Sequence, residues 1–128
     1  LVNFDSTRTD YMQLLVRSYL NMGMYDDATL YAQKLYAMDS LWYDSRELLA
    51  HAYYRKKMYA EAMPLYEQCL RVKPSKNDLT IRIAICYYET KQLETALEWY
   101  NKIDSLDNQF IFATQMKASI EKELAKKS

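Results

Sequence analysis

One spacing constrains this chain more than any other: residues of like character return every 34 positions. Ala28, Ala62 and Ala96 keep that step, as do Tyr19, Tyr53 and Tyr87. So do Asp10, Asp44 and Asp78, and the set Leu15, Leu49 and Ile83. Small residues and tyrosines held at fixed phases of such a period mark a stack of helical hairpins, because each hairpin can bury its apolar face only against its neighbours. The stretch Leu49 to Pro74 displays the unit most plainly, as two short amphipathic helices joined by a tight turn.

Composition narrows the function classes. One glycine (Gly23) and two prolines (Pro64, Pro74) disfavour a turn-rich β-protein and leave no glycine loop to cradle a nucleotide phosphate. Basic and acidic residues balance at 17 each, so no footprint for nucleic acid or an anionic membrane surface stands out beyond Arg55-Lys56-Lys57 and Lys126-Lys127. No apolar run approaches the ~18 residues needed to span a bilayer. Cys69 and Cys86 lack metal-type spacing and fall on core phases, where they read as reduced, buried hydrophobes. Such thiols suit a reducing compartment such as the cytoplasm, which nothing else in the residues specifies. His51 is the only histidine, and without an acid or thiol partner at suitable spacing it cannot be promoted to a general base; a solvated surface residue is its expected role. No cluster of His, Cys or paired carboxylates stands at ligand spacing. No catalytic residue, metal site or cofactor is therefore expected, and the chain reads as a binding protein and not an enzyme.

Taken in order, residues 1–8 match the ends of later hairpins, with Phe4 in phase with Met38, Val72 and Leu106. They read as the end of a preceding repeat, and the chain as an excerpt from a longer array. Three full copies follow at 9–42, 43–76 and 77–108, and a capping helix at 109–128 carries the stripe Ala113, Met116, Ile120 and Leu124. Asp10 with Gln13, and Asp44 with Glu47, stand at capping-box spacing, and Asp78 repeats the cap without a boxed partner. Val16, Ala50 and Ala84 give each first helix a small contact for the second. Of the turns at 22–24, 56–58 and 91–93 only the first contains glycine, so the others must break without it. Asp26, Asp27, Glu61 and Glu94 open the second helices, where negative charge favours the helix dipole. Trp99 shares a phase with Tyr31 and Leu65, which predicts inter-helix packing. Trp42 reads equally as an outer-surface partner anchor or as a buried staple.

The small-then-Tyr pairs of the first helices and the turn motifs Tyr25-Asp26-Asp27-Ala28, Tyr59-Ala60-Glu61-Ala62 and Leu93-Glu94-Thr95-Ala96 together resemble the tetratricopeptide repeat (TPR). The closes Asp39-Ser40 and Lys73-Pro74 add to the resemblance. Departures are Lys57 and Lys91 where the family often has glycine, Leu93 for the turn tyrosine, and Ser40 and Asn108 for the closing proline. The resemblance implies an all-α fold, an α-α superhelix of three helix-turn-helix repeats plus a capping helix. It further implies a concave groove, lined by the first helices, that holds a peptide or helix of a partner protein. That groove would draw Gln13 and Arg17 from the first copy and Glu47, Leu48, His51 and Tyr54 from the second. The third would supply Ile81, Arg82, Ile85, Tyr88 and Glu89. Tyr54 and Tyr88 read either as flat amphipathic anchors or as local packing. Arg17 and Arg82 read either as ligand contacts or as partners of Glu47, Glu89 or Asp78.

One TPR subgroup clamps the C-terminal carboxylates of chaperones with Lys, Asn and Arg. The corresponding places here hold Gln13, Arg17, Leu48, Asp78 and Arg82, of which only Arg82 matches, and Asp78 would repel an anion. A chaperone C-terminal tail is therefore not the expected partner. A structural alternative remains: a segment of a longer solenoid that stacks end to end or self-associates through its N-terminal end, where Tyr11, Leu14 and Ser18 would lack cover.

Overall fold

A computed structural model describes residues 6–38, 43–73, 77–103, 107 and 109–126. The hairpin closes at Ser40, Pro74 and Asn108, the tryptophan Trp42, and Leu1–Asp5 with Phe4 lie outside the described residues. The described residues form seven helices and no strand: α1 Ser6–Asn21, α2 Tyr25–Met38, α3 Tyr43–Arg55, α4 Tyr59–Val72, α5 Asn77–Glu89, α6 Leu93–Tyr100 and α7 Phe110–Lys126. They divide into two compact units, Leu1–Leu65 and Tyr66–Ser128, with the division inside α4. In the first unit α1 packs on α2, α2 on α3, and α1 also reaches α3. In the second unit α5 packs on α6 and α6 on α7.

The 34-residue step is visible first in the backbone. Gly23, Lys57 and Lys91 all adopt left-handed conformations, with φ of 77°, 69° and 67°. Each is followed by an N–H that reaches back to the carbonyl five residues earlier: Met24 to Tyr19 at 2.9 Å, Met58 to Tyr53 at 2.8 Å and Gln92 to Tyr87 at 2.9 Å. The left-handed residue itself donates to the carbonyl three before it, in Leu20, Tyr54 and Tyr88. This is the Schellman close of a helix, which satisfies carbonyls that the helix end would otherwise orphan. The next helix starts at once, as Ala28, Ala62 and Ala96 donate to the carbonyls of Met24, Met58 and Gln92. The chain thus breaks without glycine at two turns by forcing lysine into the left-handed well, at a conformational cost of roughly 1–2 kcal/mol.

The same three alanines are fully buried, and so are Val16, Ala50 and Ala84 on the facing first helices. Val16 fits despite its bulk. Farther along the second helices Ala32, Tyr66 and Tyr100 are buried at one phase, and Leu35 and Cys69 at another that Ile103, just past α6, continues. Each unit has its own core. Val16, Leu20, Leu35, Leu48 and Leu49 centre the first, with Leu65 packed against it. Ile81, Ala84, Leu93, Tyr100, Ala113 and Ile120 centre the second, with Met116 and Leu124 of the α7 stripe against it.

Local readings need adjustment at the helix starts. Helix α1 begins at Ser6, ahead of residue 9, so Asp10 lies in its second turn and not at the cap. Asp44 and Asp78 sit within the first turns of α3 and α5, where their charge meets the helix dipole from inside the helix. Pro64 falls in the second turn of α4. Its missing N–H therefore leaves the exposed Ala60 carbonyl without its helical donor, a cost that a first-turn proline would escape.

No atom lies within 4 Å of a Cβ added at Gly23, so only the backbone conformation resists a side chain there. Gly23→Ala is expected to destabilise the chain by about 1 kcal/mol. Lys91→Gly should shift it the other way by a few tenths to ~1 kcal/mol, the relieved strain being partly offset by glycine's unfolded-state entropy. Urea midpoints of the two variants check both signs.

Candidate functional site

The first helices carry the expected partner-binding residues, and each unit arranges its share differently. In the first unit Gln13 and Glu47 are half-buried and Arg17 is exposed. His51 stacks on Tyr54, one helical turn on, with ring centroids 6.3 Å apart and planes 16° from parallel. Tyr59 meets the same Tyr54 ring edge-on at 5.8 Å. Tyr54 is thus half-buried and meets a ring on two sides. In the second unit Ile85 and Tyr88 are half-buried and Glu89 is exposed. The Tyr88 hydroxyl donates to Glu123 Oε1 of α7 at 3.1 Å. Arg82 is half-buried with its guanidinium 5.9 Å from the Tyr66 ring centroid, and Asp78 accepts from Gln109 Nε2 at 3.0 Å.

Two expected contacts lie mostly inward. Leu48 and Ile81 are each only 5% exposed and belong to the cores of their units. Both are aliphatic side chains on faces that meet other helices, so burial there removes more apolar surface from water than a groove position would. The basic run at the α3 end is exposed and makes side-chain contacts to α2. Arg55 donates to the Tyr25 hydroxyl at 2.6 Å and lies 5.0 Å over that ring, and Lys56 pairs with Asp26 at 3.0 Å.

A repeated side-chain device links the first helices to the second. Tyr19 stacks on Tyr31 at 5.7 Å, and at the same phases Tyr87 stacks on Trp99 at 6.3 Å. Lys34 and Lys102, also in phase, sit over the outer rings at 4.9 and 4.1 Å. Gln33 Nε2 donates to the Tyr53 hydroxyl at 2.9 Å, and one period later the Tyr87 hydroxyl donates to Glu67 Oε2 at 2.8 Å. The donor changes sides; the contact stays. Burial together with that hydrogen bond and the Glu67 charge pushes the Tyr87 hydroxyl up to about 12. The hydrogen bond to Glu123, ahead of burial, raises Tyr88. Burial, with Glu89 nearby, pushes the Cys86 thiol up to about 12.

Among the described residues no three His, Cys, Asp or Glu side chains come together as a metal site, and no helix is long and apolar enough to cross a membrane. Cys69 and Cys86 are buried free thiols. One cleft escaped the sequence reading in part: Arg17, Leu20, Asn21, Leu48, His51 and Arg55 line about 180 Å³ between α1 and α3. Asn21 shares the phase of Arg55 and Glu89, and that step was the available signal.

Sequence profiles described as tetratricopeptide repeat match residues 53–119 and 14–76, the former just over half of the chain. None of the curated proteins matches. Among solved structures, a MamA mutant aligns at a TM-score of 0.82 and 16% identity, over 95% of this chain. The chain spans 65% of that MamA structure's length. The type III secretion translocator chaperone SycD of Yersinia enterocolitica aligns at 0.75 and 17% identity, over 98% of this chain and 90% of its own. The first TPR of Spaghetti (RPAP3), bound to an HSP90 peptide, aligns at 0.77 and 21% identity, over 98% and 99%. These likenesses show the fold: an all-α helical-repeat superhelix.

The raised Cys86 and Tyr87 values set the alkaline behaviour. Both groups are neutral when protonated and hold their protons more tightly when folded, so their contribution is complete below the ordinary values of 9 and 10. It is lost as pH rises from there through about 12. Thermal midpoints should fall steadily across that window, and the fall should be shallower in Tyr87→Phe, measured by circular dichroism.

Proposed function

The chain belongs to the tetratricopeptide repeat family, and from that premise we propose that it is a protein-interaction module without chemistry of its own, holding a peptide or helix of a partner protein on its first helices. The observation that carries the reading is the held state of Tyr54 and Tyr88, half-buried rings contacted by His51, Tyr59 and Glu123. A ring already immobilised in the free protein loses little entropy when a partner covers it, and tyrosine is among the residues enriched at binding hot spots. In the first unit Gln13, Arg17, Glu47 and His51 would accompany Tyr54, and in the second Arg82, Ile85 and Glu89 would accompany Tyr88, each set offering both signs of charge. Leu48 and Ile81 support the surface from beneath. The Spaghetti TPR is bound to an HSP90 peptide; here Gln13, Leu48 and Asp78 replace clamp donors, so the favoured segment is not a chaperone C-terminal tail.

A second reading is favoured by one face of α1. Tyr11 is 64% exposed, whereas Ser45, Leu79 and Ala113, at the same phase of later copies, are fully buried. Leu14 is 63% exposed, whereas its phase-mate Leu48 is core. Within the first unit the corresponding helix α3 meets α1 and α2, which suits α1 to stack on another such hairpin in a second copy.

For a partner captured on the immobilised chain, Tyr54→Ala with Tyr88→Ala should weaken binding at least ~30-fold by isothermal titration, equivalent to about 2 kcal/mol. Undiminished affinity in a variant of unchanged helicity overturns the first reading. Sedimentation should show self-association at high concentration that Leu14→Glu abolishes. A wild-type chain monomeric throughout removes the second.

A further inference from the structure

The α1–α3 cleft of the first unit is rich in hydrogen-bond donors. Its lining contains two guanidinium groups, an imidazole and an amide, and no carboxylate, in a chain of zero formal charge. The adjacent cation Lys56 is already matched by Asp26, whereas Arg17 has no ion pair among the described residues. Arg55, at the edge of the cleft, donates one N–H to the Tyr25 hydroxyl and rests on that ring. A neutral phenol cancels none of the charge, so Arg55 keeps its other donors and its full attraction for an anion. Leu20 and Leu48 are buried, which places a low-dielectric wall against the charges and strengthens their field in the cleft.

We propose that this cleft is an oxyanion site that takes the phosphoryl group of a phosphorylated side chain on the partner segment; the partner's identity as a peptide rests on the reading above. The size of about 180 Å³ is below that of a pocket for a whole small-molecule ligand and fits one head group. Charge selects the head group. A phosphoryl group carries about −1.5 to −2 at neutral pH and offers three acceptor oxygens, matching two permanent cations that line the cleft from two helices. A carboxylate carries one charge in one plane and would leave a guanidinium uncompensated.

The test is a titration of the full 15N-labelled chain at neutral pH with inorganic phosphate, acetate or chloride at equal ionic strength. The arginine Nε–H and histidine ring signals report the site. Phosphate should produce saturable shifts at Arg17, His51 and Arg55 that acetate and chloride do not. Arg17→Gln should weaken the phosphate response at least ~10-fold, whereas Lys102→Gln, which touches Trp99, should leave it unchanged. Equal responses to acetate and phosphate, shifts that never saturate, or an Arg17→Gln chain that responds like wild type each overturn the site. Loss of a peptide's binding on Tyr54→Ala, with indifference to phosphate and to Arg17→Gln, overturns the site and leaves the interaction reading standing. Saturable phosphate binding at these signals, with peptide affinity unmoved by Tyr54→Ala and Tyr88→Ala, does the reverse.

Discussion

Close approach between paired helices is the constraint on which the rest of the structure depends. Ala28, Ala62 and Ala96 on the second helices and Val16, Ala50 and Ala84 on the first are all excluded from solvent. Only small side chains let two helical backbones come near enough for the larger residues on either side to interlock, and interiors packed at crystal density tolerate little extra volume. With that approach set, the connection must be short, and a left-handed residue closing one helix directly into the next is a compact solution. The chain accepts lysine at two of three such positions. Hairpin geometry therefore outweighs local backbone preference at Lys57 and Lys91.

The aromatic side chains translate that geometry into orientation. Tyr19 on Tyr31 and Tyr87 on Trp99 are the same stack built twice, each topped by an in-phase lysine. The hydrogen bond between positions 33 and 53 recurs between 67 and 87 with the donor on the opposite side. Conserving the contact while exchanging donor and acceptor shows that what matters is the distance it holds. Tyr54 and Tyr88, each next in sequence to a tyrosine in these contacts, are themselves held by neighbours. A surface built this way is suited to recognition because much of the ordering cost is met during folding.

Charge is distributed by the same logic. A chain with balanced charge concentrates donors in one cleft, Arg17, Asn21, His51 and Arg55, because positions 17 and 51, like 21 and 55, are equivalent places in successive repeats. Stacking brings equivalent places side by side. The lysine next to that cleft is paired with Asp26, and Arg82 lies over an aromatic ring, so cations of successive repeats end in different electrostatic states.

The period of 34, the all-α class, the small-residue contacts and the role of Trp99 as inter-helix packing were legible in the sequence, because each is a local pattern repeated until chance becomes an implausible cause. The buried cysteines were legible for the same reason. Burial of Leu48 and Ile81 was not, nor the positions of Asp10 and Pro64 within their helices. Phase assigns a residue to a face, but how much of that face another helix covers depends on residues far away in the chain. The pairing of Arg55 with Tyr25, 30 positions apart, and of Tyr88 with Glu123, 35 apart, likewise follows no motif. Sequence by itself determined which side of each helix packs, since hydrophobic periodicity is a property of the helix alone. Tertiary structure alone decided which polar groups meet and what remains open to a partner, since those depend on where separate helices come to rest.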